Sequence, residues 1–397
     1  MNEATSALLA VLLVLAVPAT VATAATADGD SYALQREPAL QSPTELENTT
    51  NRLELSGEIR SEHAGYSGGL GTELASADDE LRVDHTQYAV VDDGFEAASA
   101  DERTAMIQAA YDRLTDRIDD LEERERRAVR EHAAGDRSST ALLRTLVRNQ
   151  HEAEVLSEHI AVLEDRADRV PGYSLSSGQV RATYKALEKH QTPLRSNLEQ
   201  QVTTAGDEVV VSTSQSGYSV AMIDGSQYVV ETTRFDARGE TDRNRFDDGE
   251  AYDHVSELYP WASEFGPHFQ DNSPDYYWAE MAHDQGRLEF YFDGDTGDVY
   301  HEIQVLSTDS LPVTDGGTWS EDGLEMTINE TPANGPIEVQ VTDSESGEPV
   351  DATVTADGAE LGSTGEDGAL WLVPPADGYD LAVESNDRTV NATITVD

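Results

Sequence analysis

Apolar residues spaced alternately four and three apart recur through a long polar stretch, and this leaves the chain few ways to fold there. The longest ladder reads Leu142, Leu146, Asn149, Ala153, Leu156, Ile160, Leu163, Ala167 and Val170. That spacing puts every member on one stripe of a helix, and the stripe can leave water only by packing on another element. A matching ladder, Ile107, Tyr111, Leu114, Ile118, Leu121, Glu125 and Ala128, precedes it. Two weaker ones flank the pair: Leu74, Ala77, Leu81, Asp84, Tyr88, Val91 and Phe95 before it, and Val180, Tyr184, Leu187, Gln191, Leu194 and Leu198 after it.

Breakers and caps divide these stripes into helices. Ser99 ahead of Ala100-Asp101-Glu102 is a helix start with carboxylates in the first turn. Gly135-Asp136 and Ser138-Ser139-Thr140 separate the long ladders, Pro171-Gly172 closes the second of them, and Ser176-Ser177 opens the last. Pro193 predicts a kink or break inside that last helix. Residues 72–202 are therefore expected to form an antiparallel helical bundle with 101–134 and 138–170 as its long hairpin. Two arrangements satisfy the stripes: a self-contained bundle or stalk, and a hairpin whose seam stays open for a second chain. Asn149 at a seam position suits both. His151 and His159 fall off the seam and are expected in solvent rather than on a ligand.

The 397 residues carry a formal charge of −52 with Lys185 and Lys189 as the only lysines. A chain so charged repels itself in dilute solution, and concentrated salt screens the repulsion over about 3 Å at 1 M. Dense carboxylates with scarce lysine resemble the proteins of extremely halophilic archaea. Nucleic-acid binding is excluded by the lack of a basic patch: glutamates interleave Arg124, Arg126, Arg127 and Arg130, which read as a solvated helix face. The absence of cysteine excludes disulfides, thiolate metal sites, a cysteine nucleophile and a lipid-anchored cysteine.

Residues 1–24 read as an export signal, with an apolar run from Ala7 to Val17, then Pro18 and Ala22-Thr23-Ala24 ahead of a cleavage site. Met1-Asn2-Glu3 lacks the usual basic residue, so an uncleaved anchor is the alternative and the one route to membrane contact. Residues 25–71 read as a polar linker in which Leu53 and Leu55 dock on the bundle. Asn48, Asn329 and Asn391 each begin a glycosylation sequon, relevant to an exported chain.

Past Val202 the apolar period changes to two. Strands are expected at Glu208–Val211, Tyr218–Met222 and Gln227–Glu231, a helix from Glu250 to Leu258, and a hairpin from Arg287–Phe292 to Asp298–Val305, making 205–307 a small α+β domain. The hairpin's Asp293-Gly294-Asp295-Thr296-Gly297-Asp298-Val299-Tyr300 resembles the closing hairpin of PepSY-type domains, extracytoplasmic modules some of which are linked to peptidase regulation. Residues 308–333 are expected as linker and 334–397 as a β-sandwich of short alternating strands. Val339-Gln340-Val341, Ser346-Gly347-Glu348-Pro349-Val350, Ala352-Thr353-Val354, Ser363-Thr364, Glu366-Asp367-Gly368 and Leu370-Trp371 resemble the carboxypeptidase-regulatory or transthyretin-like sandwich. That resemblance implies a fold and an accessory role, not an activity.

The chemistry is sparse. Gly65-Tyr66-Ser67-Gly68-Gly69 matches the nucleophile-elbow string, but its surroundings read as linker and not as the strand and helix an elbow needs. No His-Glu-x-x-His or phosphate loop occurs, and His254, His268, His283 and His301 are scattered. Asp293, Asp295 and Asp298 read as a tight turn rather than a calcium loop. Trp261, Tyr276, Tyr277 and Trp278 could form a binding platform or pack as core. The sequence thus predicts an α+β multidomain chain without catalytic, cofactor-binding or metal-ligating residues: an exported, salt-adapted cell-surface binding or structural protein. Its expected partners are a surface protein or itself. A regulator of an exported peptidase is the alternative reading, and an enzyme of unrecognised type the third.

Overall fold

Ser99 starts the longest helix as its sequence requires. Its hydroxyl accepts from Glu102 N–H, while the Glu102 carboxylate accepts from Ser99 N–H at 2.8 Å, a reciprocal cap. The computed structural model describes residues 53–66, 70–91, 94–200, 208–239, 241, 243–262, 266–272, 276–332, 334–375 and 378–395. The signal segment, Asn48 and Ser67 lie outside these. The architecture is an N-terminal helical bundle, a central α+β region and a C-terminal β-sandwich.

The bundle comprises α1 (Leu70–Val91), α2 (Ala100–Ala133), α3 (Ser139–Asp168), α4 (Ser177–Glu188) and α5 (Pro193–Gln200). Every member of the α2 and α3 ladders is buried. Pro193 breaks the last helix in two and sits at the first position of α5, where its missing N–H costs no bond. The earliest ladder is not the seam of α1. Leu74 and Leu81 are 61% and 66% exposed, while Asp79, Val83 and Gln87 are buried. Among the side chains described, Asp79 and Gln87 join Val83 in docking this helix.

An eight-stranded antiparallel sheet follows, in the order β1-β2-β3-β4-β8-β7-β6-β5. Its strands are β1 (Arg60–Gly65), β2 (Glu208–Ser214), β3 (Gly217–Asp224), β4 (Gln227–Arg234), β5 (His268–Asn272), β6 (Tyr276–His283), β7 (Gly286–Asp293) and β8 (Val299–Ser307). β1 falls within the stretch expected to be linker. It pairs with β2 from Arg60 opposite Thr213 to Gly65 opposite Glu208, so the helices form one long excursion between neighbouring strands.

The sheet is covered on both faces. Val209, Val211, Tyr218, Val220, Met222 and Val229 share one core with Val129, Leu142, Leu146 and Leu198 of the bundle, so the change of period near Val202 marks no gap in packing. On the opposite face, α6 (Glu250–Leu258) covers Tyr277, Met281, Leu288, Phe290 and Phe292. Leu53, expected on the bundle, is buried in this α6 core instead, with its N–H donating to Glu302 at 3.2 Å.

The sandwich begins earlier than expected. β9 (Thr314–Glu321) and β10 (Leu324–Glu330) fall in the stretch read as linker and join β11 (Ile337–Asp343) and β14 (Ala369–Leu372) in one sheet. β12 (Thr353–Ala356), β13 (Ala359–Ser363), β15 (Tyr379–Ser385) and β16 (Arg388–Ile394) form the other. Met326, Ile328, Val339, Val341, Val354, Leu381, Val383 and Val390 fill the space between them. Trp371 and Val373 pack outward on Val210, Tyr228 and Leu306 of the large sheet.

Candidate functional site

Glu125 occupies a seam position of α2, where a carboxylate must find partners or be expelled. It finds Arg195 of α5, whose Nη1 lies 3.0 Å from Glu125 Oε2. Arg195 has no exposed side-chain surface; its Nη2 donates to Glu231 Oε1 of β4 at 2.6 Å and its Nε at 3.1 Å. The Tyr218 hydroxyl lies 2.7 Å from Arg195 Nη2 and from Glu231 Oε1, and 2.9 Å from Glu125 Oε1. Thr192, the N-cap of α5, donates to Glu231 Oε2 at 2.5 Å. The network joins α2, α5, β3 and β4, and every one of these side chains is buried.

Mutual attraction sets the charges. Burial alone would neutralise Glu125, but Arg195 and His190 outweigh it and hold the carboxyl well below its ordinary range. Glu231 is lowered in the same way, by Arg195 acting against burial. Burial opposes the Arg195 charge, yet Glu125 and Glu231 raise its pKa well above the usual value. Burial holds the Tyr218 hydroxyl protonated. None of these groups exchanges a proton near neutrality, so the network is suited to holding elements together rather than to acid–base work.

Beside it lies a half-enclosed cavity of about 40 Å³, room for a few waters. Its walls include Glu122, Glu125 and Arg126 from α2, Lys189 and His190 from the α4–α5 connection, Arg234 and Arg238 from the end of β4 and beyond it, and Tyr300 and His301 of β8. Lys189 pairs with Glu122, and Arg238 Nε lies 3.2 Å from Asp293 Oδ2. A β-bulge explains why adjacent Tyr300 and His301 both reach the cavity. Tyr291 opposes His301 and Phe292 opposes Val299, which leaves Tyr300 as the extra residue.

A second charged cluster docks α1. Asp79, fully buried, receives Arg148 Nε at 2.5 Å and Nη2 at 2.8 Å, and Arg117 Nη2 at 3.3 Å. Arg117 and Arg124 also hold the buried Glu152. Arg124 Nε donates to Asn149 Oδ1 at 2.6 Å, and Asn149 Nδ2 donates to Glu125 Oε2 at 3.2 Å. The seam amide therefore joins both clusters into one polar line from α1 to β4.

Among the described residues, His151, Glu154 and Glu199 could offer a metal ion ligand atoms within 4.8 Å of one another. All three retain solvent exposure, and Gln150 Nε2 already bridges Glu154 and Glu199 at 3.3 and 3.2 Å. His159, expected in solvent, contacts Asp84 at 2.9 Å.

The four aromatic residues of the expected platform do not share a surface. Tyr277 stacks on Phe292 in the α6 core, and Trp261 packs edge-on against His283. Tyr276 faces the bundle, where its hydroxyl donates to Ala182 O at 2.7 Å, and Trp278 lies 3.7 Å beneath Lys185 Nζ. Asp293 Oδ1 accepts from Asp295 and Thr296 N–H at 2.9 Å, as a tight turn requires. A strand and a helix do flank the Gly65–Gly69 string, contrary to expectation, but β1 is the edge of an antiparallel sheet and not a central parallel strand. Asn391 is exposed on β16; Asn329 is half-buried on β10 and donates to Glu338 at 2.8 Å. Glu125 was the missed signal: a carboxylate on an apolar seam.

These features define a multidomain protein whose bundle and sheet are joined by buried ion pairs and which carries a β-sandwich after the large sheet. The chain belongs to the family described as "Domain of unknown function (DUF7096)", whose model matches residues 1–208 of 397. Residues 209–312 match "Family of unknown function (DUF7094)". Residues 315–392 match "Archaeal fibronectin-III type-like domain", in keeping with the β-sandwich expected of this region. No curated protein and no solved structure matches the chain.

Proposed function

We propose that this is a non-catalytic binding or structural protein of the cell surface, exported and adapted to concentrated salt. The observation that carries the reading is the closed charge network of Glu125, Arg195, Tyr218 and Glu231, which commits its titratable groups to each other. The C-terminal sandwich suits an accessory, outward-facing module. No described helix is long and apolar enough to cross a membrane. The −52 charge fits a protein whose self-repulsion is screened by its medium.

Protease shaving of intact cells in native salt tests the location: release of tryptic fragments from the chain supports the reading, and recovery only after lysis overturns it. A second reading, a regulator of an exported peptidase, rests on the β7–β8 hairpin with its Asp-Gly-Asp-Thr-Gly-Asp turn. Crosslinking on intact cells separates the two. An exported peptidase joined to the chain favours regulation; surface-layer protein, or the chain itself, favours the structural role.

A further inference from the structure

Four residues that line the bundle–sheet cavity each carry a buried polar atom without any hydrogen-bond partner: Arg126 Nε, His190 Nε2, Tyr300 Oη and His301 Nε2. His190, Tyr300 and His301 are each 3% exposed. A buried polar group without a partner loses its hydration and gains nothing in return, so several around one space indicate an occupant that serves them together. The chemistry of the wall selects that occupant. Arg126 Nε–H can only donate, and the Tyr300 hydroxyl, kept protonated by burial, carries a hydrogen with no acceptor. Of the wall's other cations, Lys189 is answered by Glu122, Arg234 by Asp236 and Arg238 by Asp293. Arg126 lies 5.1 Å from the centre of the Phe235 ring and has no ion-pair partner among the described residues, although the chain as a whole carries a charge of −52. The bulge at Tyr300 brings it and the adjacent His301 to the same cavity, as bulges beside binding sites do.

We infer that the cavity is a binding site for a small monovalent anion of halide size, held by Arg126 and Tyr300 with the imidazoles of His190 and His301 completing the shell. A cavity of about 40 Å³ suits a halide with an accompanying water and is too small for a nucleotide or a sugar. The two carboxylates of the wall are committed elsewhere, Glu122 to Lys189 and Glu125 to Arg195, and the anion would answer the Arg126 charge between α2 and the β4–β8 pair. This goes beyond the surface-protein reading and stands or falls independently of it.

The test uses the full chain in two measurements. Crystals grown with sodium bromide in place of chloride are collected at the bromine edge. An anomalous peak in contact with Arg126 Nε and Tyr300 Oη is expected, and ordered water without anomalous signal there would overturn the proposal. In solution, chloride-35 line broadening is titrated with the wild type, Tyr300→Phe and Arg126→Gln. The high negative charge suppresses non-specific anion binding, so a saturable excess linewidth in the wild type reports the site. Each variant is expected to weaken it roughly tenfold. A bromide peak at molar concentration with no saturable broadening means an adventitious ion only and overturns the assignment. If either variant fails to fold, the anomalous map of the wild type still decides the matter.

Discussion

Arg195 Nη2 and Glu231 Oε1 meet at 2.6 Å with neither side chain exposed to solvent, one from the bundle and the other from the sheet. Arg195 also serves Glu125, so a single guanidinium bridges two carboxylates across the junction.

Arg195→Met should therefore destabilise the chain by about 3–5 kcal/mol, because it strands two buried carboxylates. The sign of its pH dependence is diagnostic. Without Arg195, burial raises the folded-state pKa of Glu125 and Glu231 above the unfolded value. Their protonation then offsets the damage as pH falls toward the carboxylate range, and that relief is lost as pH rises. Denaturant unfolding of variant and wild type in parallel should show the gap between them narrowing from pH 7 to pH 5.

In the wild type, stability should decline between pH 6.5 and 4. Burial lowers the pKa of His283 and of His301 to about 4, against an ordinary 6.5. The unfolded chain binds these protons first, so their contribution is full above pH 6.5 and is lost as pH falls toward 4. His301→Asn should flatten the slope of unfolding free energy against pH in that window by up to about one proton's worth. An unchanged slope would place the proton uptake elsewhere.

Asp79→Ala should release α1 while leaving the remaining helices folded. The helix exposes Leu74 and Leu81, and its docking relies on the Arg117 and Arg148 bonds to this carboxylate. The expected loss is about 1–3 kcal/mol, moderated because the arginines can turn to water. Hydrogen exchange should quicken across 70–91 and stay slow across α2 and α3.

How much of this was legible follows from which forces leave a periodic trace. The α2 and α3 stripes were readable because apolar burial repeats with the helix turn, and residues from Ile107 to Val170 on those ladders are indeed inside. The α1 register was not, because Asp79 is held by arginines on two other helices and no spacing within α1 encodes them. β1 was missed for a related reason. Arg60, Glu62 and His63 look like linker, and the segment becomes a strand only because β2 offers an open edge. The candidate site left one trace, Glu125 on a seam, while Arg195 and Glu231 became its partners only through tertiary packing.

Gly286→Ala tests the tightest backbone approach in the large sheet. Gly286 has φ of +152°, and a Cβ there would sit 2.1 Å from Val305 O. A loss of about 1–3 kcal/mol is expected from the strained conformation alone, with a further cost if β7 and β8 must separate. Gly225→Ala is the control, because its Cβ meets nothing within 4 Å while its φ is +59°. Thermal unfolding of the two variants side by side should show the larger drop for Gly286→Ala, and equal drops would mean that the close approach costs nothing.

The pairing of Gly65 with Glu208 has a consequence for how the chain is made. β1 leaves the ribosome before any helix of the bundle and has no strand to join until the whole bundle has been synthesised and β2 follows. During that interval an unpaired edge is exposed, and its charged residues Arg60 and Glu62 disfavour pairing with other chains. A truncation between the two family segments would therefore yield a bundle without its floor and a sheet without its edge.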